Sequence, residues 1–66
     1  MIPVISFNIH SIGWENEMLR IKFKNGDIYE YEDVTEDEYW HFKNADSIGG
    51  YYYIHIKGEY KGIKLN

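Results

Sequence analysis

The chain has no cysteine, which removes disulfides and thiolate metal sites together and suits a reducing cytoplasm. It has one proline, Pro3, and no apolar run approaching the ~20 residues that a membrane span needs. The apolar start from Met1 to Ile9 is broken by Pro3, Ser6 and Asn8 and lacks a basic lead-in, so it does not read as a signal peptide. A soluble, cytoplasmic protein without membrane contact is expected. Basic charge is also scarce. Seven Lys and Arg stand against eleven Asp and Glu, a net charge of −4. Affinity for a long phosphate backbone comes mainly from Lys and Arg displacing counterions, so this balance argues against a whole-surface nucleic-acid binder.

Sixty-six residues allow one domain, 1–66. A domain of this size buries only about 60% of the surface its unfolded chain exposes, so stability is marginal, and a homo-oligomer is expected to supply the remainder. What the chain has in plenty is rings: 18% of its residues are aromatic, with seven Tyr and two Trp, more than one small core encloses. Some of them must lie at the surface. The acidic balance is also uneven, because residues 51–66 carry Lys57, Lys61 and Lys64 against Glu59 alone.

From Val4 to Gly13, Ile5, Phe7 and Ile9 recur at period two with Ser6, Asn8 and His10 between them, the pattern of a half-buried strand that Trp14 ends. After the polar turn Glu15-Asn16-Glu17, Leu19, Ile21 and Phe23 alternate with Arg20, Lys22 and Lys24, giving a strand with one apolar and one basic face. Asn25-Gly26 marks a hairpin with two competing registers. A two-residue turn sets Phe23 against Ile28 and sends Tyr29 and Tyr31 to the basic face. A three-residue loop with Gly26 at a left-handed bulge sets Phe23 against Asp27 and joins both tyrosines to Ile21 and Leu19. The second is favoured because it keeps the apolar set on one face, although it leaves Ile28 beside Lys22.

Val34 to Tyr39 reads as a helix start. Thr35 caps, Glu38 stands three residues on, Val34 staples against Tyr39, and the acids of the first turn favour the positive end of the helix dipole. Tyr39, Phe42 and Ala45 share a face, while Trp40 projects off it toward solvent. Residues 48–57 are ambiguous: Tyr51, Tyr53 and His55 alternate with Tyr52, Ile54 and Ile56 as a strand would, yet Tyr52 and Ile56 also have helical spacing. The expected fold is α+β, a small antiparallel sheet of about three strands with one packed helix and a short C-terminal aromatic segment.

The run Phe23-Lys24-Asn25-Gly26-Asp27-Ile28-Tyr29-Glu30-Tyr31, with Ile12-Gly13-Trp14 before it and Ser47-Ile48-Gly49-Gly50-Tyr51-Tyr52 after it, resembles a KTSC domain. The likeness extends from Ser6 to Tyr60. Three positions depart from the family's pattern: Thr35 where proline is usual, Trp14 where tyrosine is common, and Tyr53 where asparagine follows the aromatic pair. The resemblance implies a short helix capped by Ser47. It also implies a free-standing bacterial or phage-encoded protein, or a module like the one found at the end of some lysyl-tRNA synthetases, and by that association RNA contact. In a phage protein it further suggests sequestration of a nucleotide signal.

No nucleophile, base and orienting partner are legible as a set, so a non-enzymatic role without cofactor is expected. His10, His41 and His55 lack metal-ligand spacing, and Glu36-Asp37-Glu38 is a helix start, not an ion cluster. The best local mix of rings and positive charge is Tyr51-Tyr52-Tyr53 with His55, Lys57, Tyr60 and Lys61; of these, Tyr51, Tyr53, His55, Lys57, Tyr60 and Lys61 are the expected ligand residues, with Arg20 and Lys22 as further phosphate partners. Rings stack on bases and cations meet phosphates, so this surface is the expected contact for RNA or a small nucleotide. The alternative is a protein-interaction or self-assembly module anchored by Trp14 and Trp40.

Overall fold

A computed structural model describes all 66 residues. Five strands form one antiparallel sheet in chain order: β1 (Ile2–Pro3), β2 (Ile9–Glu15), β3 (Met18–Phe23), β4 (Ile28–Tyr31) and β5 (Gly62–Lys64). Between β4 and β5 the chain forms α1 (Glu36–Lys43), α2 (Ile48–Tyr51) and a π-helical turn, Tyr52–Ile56, that continues α2. Strand alternation sends Leu19 and Ile21 toward the helices, where they are fully buried with Ile9, Ile12, Val34, Phe42 and Ile56. Arg20 and Lys22 point the other way and are exposed.

β2 and β3 are joined by a two-residue turn in which Asn16 and Glu17 both take positive φ, 51° and 63°, the twist that suits a tight hairpin. The second hairpin takes the three-residue loop. Leu19 pairs with Tyr31 and Ile21 with Tyr29, the Phe23 amide donates to the Asp27 carbonyl at 2.8 Å, and Gly26 sits at φ 98°. Lys22 accordingly lies opposite Ile28, the one mismatch this register carries.

Thr35 caps α1: its hydroxyl accepts the Glu38 amide at 3.1 Å. The Glu38 carboxylate does not reach back to complete the box; it is taken up by tyrosines of the second helical segment. Ser47 caps α2 through the Gly50 amide at 3.0 Å, and the segment that read equally as strand or helix is helical to Ile56. Helical winding turns Tyr52 and Ile56 inward together and leaves Tyr53 and Ile54 outside.

Three expectations are corrected. The sheet has five strands, not about three, because β1 and β5 are too short to show a pattern of their own. β5 forms at all because the Glu32 amide donates to the Lys61 carbonyl and the Leu65 amide to that of Ile28, which lays the tail along β4. The first long strand starts at Ile9, not Val4. Ile5 and Phe7 stand outside it, 98% and 97% exposed, so their period-two spacing does not mark a buried face. Trp14 lies inside β2 instead of ending it.

Candidate functional site

The residues expected to form one ligand surface are divided by the fold among several places. Arg20 is on the outer face of the sheet, where its guanidinium holds Glu30 at 2.7 Å beside a recess of about 430 Å³ that also borders Met1 and Trp14. Lys22 shares that outer face. The sheet separates both from the helical segment, so they do not converge with Tyr51, Tyr53 or His55 on one ligand. Trp14 is not a free anchor either. Its indole N–H donates to the Val34 carbonyl at 2.7 Å and its ring stacks on Tyr39 at 6.3 Å, so it ties β2 to the entry of α1. Trp40 is 56% exposed, as its off-stripe position implied.

Tyr51 and His55 turn toward α1, beside Trp40. Tyr53 points outward with the Lys57 Nζ 5.4 Å above its ring. Lys61 is exposed just before β5. Lys57 and Tyr60 border a cleft of about 400 Å³ between the β3–β4 hairpin and the chain leaving the π-helical turn. Phe23, Tyr29, Tyr31 and Tyr52 form its walls, Asn25 and Asp27 one rim, and Gly58 and Gly62 leave the other open.

The four wall rings of this cleft are each fixed by another. Phe23 meets Tyr29 edge-on at 5.9 Å and Tyr52 at 5.4 Å, and Tyr29 and Tyr31 stack at 6.3 Å. The hydroxyls of Tyr31 and Tyr52 share a hydrogen bond of 2.7 Å. Burial, and then that bond, pushes the Tyr31 phenol well above the usual tyrosine range, so it is neutral at any physiological pH. Gly62 lies flat against the Tyr31 ring: a Cβ there would come within 2.5 Å of the ring carbons. Asp27 is engaged by Lys64 at 3.4 Å, which leaves Lys57 as the basic group on the rim.

Behind the cleft wall the Glu38 carboxylate accepts a hydrogen bond from the Tyr51 hydroxyl and a longer one, 3.5 Å, from that of Tyr60. Burial first, and the adjacent carboxylate second, push the Tyr51 phenol up to about 12. Tyr60 moves in the same direction for the same reasons. Phe23 and Glu38 carry no site expectation in the sequence, and Tyr52, though part of the aromatic run, is not among the residues expected to contact a ligand. The one available signal was the helical spacing of Tyr52 and Ile56, which places Tyr52 on the core side with Tyr31.

The family model for the KTSC domain matches residues 5–60, which takes in the hairpin, both helical segments and all of the cleft but Gly62. The chain belongs to the KTSC family. Among solved structures, this KTSC chain is similar to the crystal structure of a KTSC domain protein from Yersinia pestis. The two are 37% identical, with a TM-score of 0.92, and the match covers 98% of this chain and 94% of that one. No curated protein matches the chain. The Tyr29-Glu30-Tyr31 run of this KTSC domain is thus the inner edge of an aromatic cleft, with Tyr31 buried and Tyr29 half-buried.

Proposed function

We infer that this KTSC domain is a non-enzymatic binding module whose tyrosine cleft accepts the base of a small nucleotide or of one nucleotide in a short RNA. The observation that carries the reading is the cleft itself. Four rings held against one another, Phe23, Tyr29, Tyr31 and Tyr52, offer a pre-formed apolar wall, and Lys57 stands on its rim, within the locally basic end of the chain. Fixed rings favour binding because little side-chain entropy remains to be lost when a base stacks on them. The net charge of −4 favours a ligand with one or two phosphates over a long strand. Lys61, exposed and next in the chain to Tyr60, is our candidate for a second phosphate partner.

Titration with nucleoside monophosphates and a short single-stranded RNA at low salt, read by intrinsic tyrosine fluorescence, tests it. Quenching that saturates and weakens as salt is raised is expected, and Lys57→Ala should weaken binding while flattening the salt dependence. Fluorescence unmoved by every one of these ligands would reject the reading.

A second reading, self-assembly or a protein partner, is favoured by a different observation: Ile5 and Phe7 are almost fully exposed, on one short loop. Binding through such side chains should change little between low and physiological salt, which separates it from phosphate recognition.

A further inference from the structure

A groove on the far side of the helical segment takes no part in the nucleotide reading. The last turn of α1 supplies Trp40 and His41, the connection to α2 supplies Asp46, and α2 with the π-helical turn brings Tyr51 and His55; together they enclose about 420 Å³. Four rings wall it. Trp40 and His41 stand edge to face with centroids 5.5 Å apart, and Tyr51 and His55 lie 4.4 Å apart. The rings of His41 and His55 enter no hydrogen bond within the chain, unlike His10, whose ring meets the Ser11 hydroxyl.

The electrostatics of this groove are one-sided. Asp46 lines it and no Lys or Arg does. The lysines that flank these residues in the chain are turned to other rings, Lys43 to Tyr39 and Lys57 to Tyr53, each with its Nζ 5.4 Å from the centroid. The carbonyl end of α1 also opens here: the Trp40 carbonyl accepts both the backbone amide and the side-chain amide of Asn44, at the negative end of the helix dipole. Behind Tyr51, whose hydroxyl donates to Glu38, lies a further carboxylate.

We propose that this groove binds an alkylated ammonium group, with the ring faces contacting its methyl groups and Asp46 balancing its charge. Aromatic faces attract a cation through their quadrupole, and a methylated cation gives up less hydration to reach them than a bare ammonium does. An anion would meet Asp46 and the carbonyl end of α1. A metal ion is no better placed, since no three His, Cys, Asp or Glu side chains stand where they could hold one. The same chemistry is carried by a free quaternary amine and by a trimethylated lysine side chain of another protein.

The test is a titration of the intact chain with tetramethylammonium chloride, followed by the NMR signals of the Trp40 indole N–H and of the His41 and His55 ring protons, with potassium chloride as the matched control. Saturating shifts confined to these three residues and Tyr51, absent with potassium, are expected. Trp40→Ala should weaken binding about tenfold and Asp46→Asn by a smaller factor. Choline and a peptide bearing trimethyl-lysine then distinguish the two sources, and the tighter of the two names the ligand's class. Shifts that potassium reproduces, shifts centred on the tyrosine cleft, or full affinity in Trp40→Ala would each overturn the proposal.

Discussion

At Glu38 one carboxylate serves two phenols, and the consequences are measurable at neutral and at alkaline pH. Its acceptor oxygens hold Tyr51 and Tyr60 against α1, so Glu38→Ala leaves two half-buried hydroxyls without their partner and is expected to cost about 2 kcal/mol in urea denaturation. Glu38→Gln retains an acceptor and should cost less. The Tyr51 phenol stays protonated in the fold at pH values where the unfolded chain has already lost that proton. The unfolded state then binds fewer protons, so stability falls as pH rises, from the ordinary tyrosine value of 10.0 through about 12. Tyr31, Tyr39 and Tyr60 are raised as well and act in the same direction. A urea midpoint that is flat through neutrality and drops above about pH 10 is the expected profile, with a shallower drop in Tyr51→Phe. A midpoint that holds constant in that alkaline range would contradict the arrangement of these phenols.

The hairpins decide how the elements meet, and each contains a backbone position that a substitution can probe. Glu17 takes φ 63° although it is neither glycine nor asparagine, and its carbonyl accepts the Val34 amide at 3.0 Å. A left-handed conformation costs an L-residue roughly 1–2 kcal/mol, and glycine avoids that cost while losing part of the gain to chain entropy. Glu17→Gly, which makes the turn Asn-Gly, is therefore expected to raise stability by about 0.5 kcal/mol. At β5 the constraint is space: Gly62→Ala forces a methyl group into the Tyr31 ring and should destabilise by about 1–3 kcal/mol, with the loss of β5 amide protection read by hydrogen exchange. These positions also show what the amino-acid sequence made legible. Leu19, Ile21 and Phe23 alternate strictly, Asn25-Gly26 permits only a few loops, and Thr35 with Glu38 marks a helix start, so β3, the bulged hairpin and α1 could be read locally. β5 could not, because three residues carry no period and its existence depends on pairing with β4 far away in the chain. Ile5 and Phe7 misled for a related reason: alternation signals a buried face only where a neighbouring layer covers it. The candidate site was half legible for the same cause. Lys57 and Tyr60 were singled out by their charge and rings, whereas Tyr52 joined Tyr31 only because the π-helical turn aimed it there, and Arg20 and Lys22 were assigned to the site although the sheet stands between.

As a whole the molecule has a core of nine hydrophobic residues, small for a chain that must hold five strands and two helical segments. Every buried side-chain nitrogen and oxygen has a hydrogen-bond partner, so nothing in the interior is left for a second chain to satisfy. The unfinished part lies outside. Ile5 and Phe7 sit on the loop before β2, beside Gly49 and Gly50 of α2, and around them runs a recess of about 390 Å³. Removing two such side chains from water is worth roughly 1.5–3 kcal/mol each, a large share of what a domain of this size has in reserve. Association that covers this loop would therefore raise apparent stability by mass action, and the thermal midpoint should climb with protein concentration. Sedimentation over a wide concentration range is expected to give a mass that grows beyond the monomer. The double substitution Ile5→Ser and Phe7→Ser, at positions that contribute nothing to the core, should return it to the monomer and remove the concentration dependence without unfolding the chain. A monomeric mass at every concentration, together with a thermal midpoint that never moves, would show that the exposed loop is tolerated as it stands and that the domain's stability is supplied from within.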